Sequence, residues 1–424
     1  MVARRGNRTA GDHVDTKGAW RSLAWLLGTW AVTRTVLLLF VFRVYAFPGP
    51  DVTSDVSVIY RGWYEVLQQG TFPLDDVTWQ YPPAAALAVL SPAVLPFLSY
   101  AHGFYVLACL ADAVVLALLV YAAGRPERSA RGAWVWVAGV PLLGPTVYAR
   151  YDVMVTAVAV AALLAGARRP RVMGALTAFG ALLKVWPALL LVGAVRRRAW
   201  AAAAVTAAGV ALLFAVSMPG AFAFLTFQRD RGTEVESLGA LVFHVARHFG
   251  WQGQVLLNYG SIEFLGPHVD EVSTAALALT GAAFGWLLLW RLRAARFAPH
   301  TLADAALTAV LLFTVTSRVI SPQYLVWLVG LAAVCLAHRA SRMGPPALLV
   351  VLASFVTVLE FPLGFSHVVL SDWYGVTLLA VRNGLLVAAT VTAGRRLWHA
   401  TVPRSADTPF PPRAARQEET PVSP

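Results

Sequence analysis

The sequence predicts an all-α protein, a polytopic transmembrane helical bundle of about ten full spans plus re-entrant or juxtamembrane short helices. Three observations carry that prediction. Of 424 residues, 58% are apolar and only 13% are charged. The mean hydropathy is +0.63. Apolar runs near the ~20 residues that cross a bilayer recur along almost the whole chain, separated by short loops punctuated with arginine. Such a chain is not disordered, collagenous, a disulfide scaffold or a soluble nucleic-acid binder. The net charge of +12 sits between spans, as expected of cytoplasmic loops rather than of a nucleic-acid-binding face. Cys109 and Cys335 lie inside apolar runs with no metal-ligand or redox spacing and read as packing residues.

Residues 1–19, with Arg4, Arg5, Arg8 and Lys17, read as a cytoplasmic N-terminal segment. Trp20 to Phe42 is the first span, too long for a signal-peptide core and without a small-residue cleavage site. After it, loop 44–81 carries Asp51, Asp55, Glu65, Asp75 and Asp76 and is expected on the outer side. The next apolar piece contains Pro82, Pro83, Pro92 and Pro96, which remove backbone donors and kink helices. Treating Pro82 to Ser99 as a juxtamembrane or re-entrant hairpin lets the span His102 to Ala123 deliver Arg125, Arg128 and Arg131 to the inside.

Ala133 to Tyr148 goes out, Arg150-Tyr151-Asp152 faces out, and Val153 to Ala167 returns to Arg168, Arg169 and Arg171. Val172 to Val195 has basic clusters on both flanks and Lys184, Trp186 and Pro187 in its middle. Two basic flanks require an even number of crossings, so two half-helices are expected to meet near Lys184; broken helices are tolerated where they line a protein cavity. Ala199 to Met218 leads to a large outer loop, 219–273, holding Gln228-Arg229-Asp230-Arg231, Glu234 and Glu236. Thr274 to Trp290, Leu302 to Ser317, Pro322 to Ala337, Ala347 to Phe361 and Tyr374 to Ala393 complete a membrane domain of 20–398. Both termini are then cytoplasmic, with 399–424 a disordered, Pro-rich cytoplasmic tail. No internal repeat stands out, which weighs against the repeat-built transporter folds.

The polar residues that interrupt this pattern, Asp55, Arg150, Asp152, Lys184, Arg318 and Gln323, converge on the outer half of the membrane. Charges at that depth are costly and persist mainly in water-filled or bundle-facing sites. Carboxylates facing fixed cations suit a reaction in which one substrate carries a phosphate and the other must lose a proton. The plainer alternative is that Arg150 pairs with Asp152, and Arg229 with Asp230, as ion pairs that merely end helices.

Four short motifs run through the chain in order: Ser54-Asp55-Val56-Ser57-Val58-Ile59-Tyr60 followed by Gly70 and Tyr81-Pro82-Pro83, then Arg150-Tyr151-Asp152, Leu183-Lys184-Val185-Trp186-Pro187, and Ser321-Pro322-Gln323-Tyr324-Leu325-Val326-Trp327. With these the chain resembles the integral-membrane glycosyltransferases of the GT-C superfamily. Within them it is most similar to the actinobacterial polyprenyl-phosphate-mannose-dependent mannosyltransferases, of glycosyltransferase family 87 type. The resemblance implies a GT-C bundle with a catalytic aspartate in its first outer loop, here Asp55. It also implies a sugar, mannose or another hexose or pentose, moved with inversion from a polyprenyl-phosphate donor to a cell-envelope glycolipid or glycan. Lys184, Arg150 and Arg318 are then expected to hold the donor phosphate, and Asp152, Tyr60, Tyr81, Trp186, Gln323 and Tyr324 to line the substrates. The paired histidines of that family after a Ser-Pro turn are replaced by Gln323-Tyr324, which leaves donor sugar and acceptor open.

Elementary chemistry agrees with that reading. Inverting transfer needs one base on the acceptor side and no carboxylate nucleophile. Fixed cations can stabilise a lipid-phosphate leaving group without a cofactor, although a divalent metal stays open. There is no Asp-x-Asp, and Asp75-Asp76 reads as a solvated turn. Arg34 and Arg382 could meet a phosphate, or snorkel or pair with a polar neighbour, the reading favoured for Arg382. His244, His248 and His268 lack tight ligand spacing and read as interfacial hydrogen bonders. Trp251 and Tyr259 could stack on sugars or belong to an interfacial aromatic belt. Two other functions compete, a transporter or flippase of lipid-linked sugars and a silent assembly subunit. A flippase needs charges along the whole crossing, whereas these lie toward one face.

Overall fold

The computed structural model describes residues 16–227 and 232–403. The helices are α1 Thr16–Val41, α2 Arg61–Leu67, α3 Ala85–Leu90, α4 Tyr100–Ala123, α5 Arg131–Gly139, α6 Asp152–Gly166, α7 Pro170–Leu183 and α8 Arg197–Ser217. They continue with α9 Phe224–Phe227, α10 Ala240–Arg247, α11 Val269–Arg293, α12 Thr301–Thr316, α13 Tyr324–Leu336, α14 Gly344–Val358, α15 Phe365–Leu370 and α16 Trp373–Thr401. Among the described residues, six helical stretches are long and apolar enough to cross a membrane: Trp20–Val41, Tyr100–Ala123, Arg197–Ser217, Val269–Arg293, Gly344–Leu363 and Trp373–Thr401.

Each expected span coincides with helix, but several are short. At 1.5 Å per residue, α6, α12 and α13 cover roughly 20–24 Å against a hydrocarbon core of ~30 Å. The shortness of α12 and α13 is tolerable because they are core helices: Leu325 through Cys335 are all buried, as are Ala303 through Leu311. Chain beyond their ends therefore meets protein rather than lipid, where irregular backbone can be satisfied. The segment after α5 is broken by Pro141, Pro145 and Gly144, whose φ is +63°. Ala85–Val94 forms a turn and a half of α-helix and a 3₁₀ turn, together about 15 Å long, too short for a full crossing.

The break expected at Lys184 is present. Helix α7 ends at Leu183, Lys184 is extended (φ −158°, ψ 131°), and a 3₁₀ helix follows over Trp186–Gly193. Pro187 sits in the first turn of that new helix, where a missing N–H costs nothing. Close helix approach depends on glycine: a Cβ on Gly174 of α7 would lie 1.9 Å from the Ala199 carbonyl oxygen of α8.

Loop 219–273 contains structure that hydropathy does not reveal. Strands β1 Thr233–Glu234, β2 Gln254–Asn258 and β3 Ser261–Leu265 form an antiparallel sheet in the order β1-β3-β2. Asn258 opposite Ser261 closes a two-residue hairpin at Tyr259-Gly260, both with positive φ, the twist that tight hairpins favour. Val235, Ala240, Phe243, Phe264, Val269 and Val368 give this cap its own small core. At the C-terminal side, α16 runs on to Thr401, past the expected domain end at 398. Residues 404–424, most of the expected tail, lie outside the described residues, as do 1–15 of the N-terminal segment.

Candidate functional site

Four charged side chains meet where loop 44–81, the start of α6 and the end of α7 converge. Asp51 accepts from the Thr53 N–H at 2.9 Å and from its hydroxyl at 2.6 Å, a turn that launches the wide helix Asp55–Tyr60. Ser54 at the N-cap of that helix makes no side-chain cap bond. The Asp55 carboxylate instead reaches Arg150, Oδ2 to guanidinium at 2.6 Å, with the two side chains 31% and 12% exposed. Arg150 also donates to the Ala149 carbonyl at 2.8 Å and the Val52 carbonyl at 3.3 Å, tying the loop to the junction before α6. Burial works against the charge of Arg150, but Asp55, Tyr60, Tyr81 and Asp152 outweigh it and raise its pKa.

The second pair is deeper. Asp152 opens α6, where a carboxylate complements the positive helix end. Its Oδ1 accepts from Lys184 Nζ at 2.7 Å and from Trp327 Nε1 at 2.6 Å, and the carboxylate side chain is 1% exposed. Its Oδ2 is buried with no hydrogen-bond partner, as is Trp186 Nε1. The Lys184 ammonium stands 5.1–5.6 Å from the ring centres of Tyr151, Trp327, Tyr81 and Tyr324, the spacing at which aromatic faces attract a cation. Trp327 is sandwiched between Tyr324 at 4.0 Å and Trp186 at 5.2 Å. Tyr151 bridges the two pairs, 6.1 Å from Tyr60 and 5.3 Å from Tyr81. Burial and neighbouring acidic groups hold the Tyr60 and Tyr151 phenols well above their ordinary pKa, so they serve as donors rather than bases.

Asp55, Arg150, Asp152, Lys184, Tyr60, Tyr81, Trp186 and Tyr324 are thus brought together. The pairing differs from the alternative weighed on sequence: Arg150 partners Asp55, while Asp152 partners Lys184. The Arg229–Asp230 pair lies outside the described residues. Arg318 follows α12, and its carbonyl accepts from the Glu234 N–H at 3.0 Å, joining it to the cap. Ser321 donates to Glu234 Oε1 at 3.0 Å. Gln323 occupies the N-cap of α13 without a side-chain cap bond.

The remaining candidates sort into structural roles. Arg34 is buried against Asp112 at 2.7 Å, and that carboxylate also takes Trp136 and Tyr148 at 2.5 Å. Arg382 lies between Glu236 at 3.3 Å and Glu360 at 3.2 Å, the polar pairing favoured for it. His244 bonds Ser371 and the Val235 carbonyl, and His248 bonds the Ser371 carbonyl. His268 pairs with Glu271 at 3.4 Å. Trp251 packs on Phe243 and Phe264 and donates to the Pro267 carbonyl. The Tyr259 carbonyl accepts from Gln80, linking the cap to loop 44–81. Asp76 accepts from the Thr78 N–H and hydroxyl and from the Trp63 indole N–H. Among the described residues no group of three or more His, Cys, Asp or Glu is placed to hold a metal ion. Trp327 and Tyr151 belong to the sequence motifs and join the site without being among its expected residues. Their signal was present, a polar-tipped aromatic beside each charged position.

Fold and site together define a multi-pass helical membrane protein with two carboxylate–cation pairs, one accessible and one enclosed, beneath one loop. The chain belongs to glycosyltransferase family 87, whose model matches residues 79–322, more than half its length. It is therefore a glycosyltransferase, one with six helices among its described residues long and apolar enough to cross a membrane. Arg150, Asp152, Lys184 and Arg318 fall within the matched residues, whereas Asp55 precedes them and Tyr324 follows. Two of the solved structures similar to it are crystal structures of one protein. One is the crystal structure of ArnT from Cupriavidus metallidurans bound to undecaprenyl phosphate, 15% identical, with 90% of this chain and 77% of that one covered and a TM-score of 0.44. The other is ArnT from the same organism in the apo state, 16% identical, covering 90% and 78%, with a TM-score of 0.43. No curated protein matches the sequence.

Proposed function

We propose that this glycosyltransferase moves a single sugar, mannose, from a polyprenyl-phosphate donor to a cell-envelope glycolipid or glycan, inverting the anomeric centre on the extracytoplasmic face. The observation that carries the proposal is the pair of adjoining ion pairs, one accessible and one enclosed. Asp55, the more exposed carboxylate, takes the proton of the acceptor hydroxyl as its oxygen attacks the anomeric carbon. The bond from that carbon to the phosphate oxygen breaks, its electron pair stays on the lipid phosphate, and Arg150 and Lys184, joined by Arg318, stabilise the charge. Tyr60, Tyr81, Trp186, Gln323 and Tyr324 offer ring faces and polar tips to sugar hydroxyls. Asp152 orients Lys184, and its second oxygen is buried without a hydrogen-bond partner. The choice of mannose rests on the motif resemblance.

The direct test incubates purified protein in lipid with polyprenyl-phosphate mannose or polyprenyl-phosphate arabinose and candidate envelope glycolipids, followed by mass spectrometry. A mass increment of one hexose that depends on the mannose donor supports the proposal. A pentose increment replaces mannose with arabinose, and no increment with either donor overturns it.

A further inference from the structure

A buried ion pair outside the site stands at the helix break that leads into it. Helix α5 ends at Gly139, and Pro141, Gly144 and Pro145 interrupt the chain before α6 begins at Asp152. Pro141 has no N–H, so the Val137 carbonyl loses the donor that a continuing helix would supply four residues on. Arg34 of α1 takes that donor's place: its Nη1 bonds the Val137 carbonyl at 2.8 Å and its Nη2 the Trp136 carbonyl at 3.2 Å. The Nε of the same guanidinium meets Asp112 Oδ2 at 2.7 Å, with both side chains buried.

The Asp112 carboxylate, on α4, holds the chain on either side of the break. Its Oδ1 accepts from the Trp136 indole N–H, in α5, and its Oδ2 from the Tyr148 hydroxyl, beyond the prolines, both at 2.5 Å. Trp30, one turn before Arg34 on α1, adds a longer indole bond at 3.3 Å. Within the break, a Cβ on Gly144 would lie 3.0 Å from Val358 of α14 and 3.6 Å from Phe47, so this segment packs directly against the loop that bears Asp55. Arg150 follows Tyr148 by two residues, at most about 7 Å of chain, and donates to the carbonyl of the intervening Ala149. The partner of Arg150 is anchored to α1 as well. Arg43, just past the end of α1, donates to the Thr53 hydroxyl at 3.1 Å and pairs with Asp51, in the turn that launches the Asp55 helix. Helix α1 is therefore tied at its end to the loop bearing Asp55, and at Arg34 to the chain bearing Arg150.

We propose that the Arg34–Asp112 pair is a positioning device: it fixes the break after α5 against α1 and so sets the Arg150 guanidinium against Asp55. A buried ion pair adds little net stability over well-packed apolar residues of the same volume, and what this one contributes is geometry. The consequence for turnover rests on the reading of Arg150 as a holder of the departing phosphate.

The test uses the full-length protein in detergent. Arg34→Ala would strand a buried carboxylate and endanger the fold, so two milder variants serve. Arg34→Lys keeps the charge but cannot span the carboxylate and both carbonyls, and Tyr148→Phe keeps the ring and removes the hydroxyl. Phenylglyoxal modification of Arg150, read by peptide mass spectrometry, should be slow in the native chain, where that side chain is 12% exposed, and several times faster in both variants. Trp290→Phe removes an equally buried hydrogen bond, to Thr401 at 2.8 Å, and should leave Arg150 as slow as in the native chain. With polyprenyl-phosphate mannose and an accepting glycolipid, kcat should fall about tenfold or more in both variants, while the KM for donor stays nearly constant, because the phosphate charge that Arg150 meets develops only as the bond breaks. Faster modification with unchanged kcat supports the positioning and overturns the role given to Arg150 in the reaction. Native-like modification of Arg150 in both variants, or equal acceleration in Trp290→Phe, overturns the proposal whatever the turnover.

Discussion

Trp327 donates its indole N–H to the same Asp152 oxygen that receives the Lys184 ammonium, at 2.6 and 2.7 Å. The two contacts share one acceptor, so the indole fixes the carboxylate that in turn fixes the cation. Trp327 is therefore a positioning residue. Trp327→Phe retains much of the stack with Tyr324 and Trp186 but removes the N–H. A hydrogen bond to a charged group contributes about 1.5–3 kcal/mol, so the variant should unfold at lower temperature in detergent. It should also raise the apparent KM for donor more than it lowers kcat, a split that loss of packing alone would not produce.

Lys184→Met should destabilise the fold as well as impair donor use. Sequence alone suggests that the change weakens donor use far more than it disturbs folding, because a charge at a helix break is costly unless something anionic occupies the site. The structure changes that expectation: removing Lys184 strands the enclosed Asp152 carboxylate, and breaking a buried pair costs about 3–5 kcal/mol, somewhat less here since Lys184 is 11% exposed. The double variant Lys184→Met/Asp152→Asn should recover most of the lost stability without recovering donor use. Recovery of both would remove Lys184 from the phosphate site.

His244 gives a pH prediction for the cap. Burial, reinforced by Arg247 and His248, pushes its imidazole down to about 4 despite its bond to the Val235 carbonyl. The unfolded chain, titrating near ~6.5, then binds more protons than the native state between those values. Stability is therefore full above pH ~6.5 and falls as pH drops toward 4. The loss attributable to this group is on the order of 3 kcal/mol. Thermal unfolding at pH 7.5 and 5.0 should show a smaller drop for His244→Gln than for the native chain. Equal drops would assign the acid sensitivity to other groups, such as His338, also lowered to about 4.

Topology can be read by cysteine labelling with an impermeant thiol reagent. Positions 55, 150 and 318 should label from outside, and 197 and 293 only after permeabilisation. Arg128 is a poor reporter because its guanidinium contacts His338 at 2.7 Å; the exposed Arg131 serves instead. Labelling of position 131 from outside would mean that Pro82 to Ser99 crosses the membrane after all.

What could be read from sequence follows the strength of the local signal. Lipid leaves a backbone few options, so α1, α4, α8, α11 and α16 are legible from apolar length alone. The break at Lys184 was legible because two basic flanks and a Trp-Pro pair agreed. Pairings between helices were not, since they depend on rotational phase: Arg34 finds Asp112, 78 positions away, in a run that reads only as a span. The exchange of partners, Arg150 with Asp55 rather than with Asp152, has the same origin. The cap sheet was hidden because β2 and β3 are short, and the turn at Tyr259-Gly260 is a weak signal within a long polar loop.

The last prediction concerns Asp55 itself. Its carboxylate is reachable from solvent yet held at 2.6 Å by Arg150, so two roles compete for it, base and structural partner. As base, it must lose its reactivity when the charge is removed and the shape kept, and Asp55→Asn should lower turnover by about two or more orders of magnitude. As partner alone, its loss frees a guanidinium that still donates to the Ala149 and Val52 carbonyls, and the main effect should be a modest shift in unfolding temperature. Donor binding separates the roles further. Removing the carboxylate leaves Arg150 without its competing anion, so the Asn variant should bind polyprenyl phosphate at least as tightly as the native protein while transferring little sugar. A variant that transfers sugar at near-native rate would end the case for Asp55 as base and make Asp152, with its unpartnered oxygen, the next residue to replace.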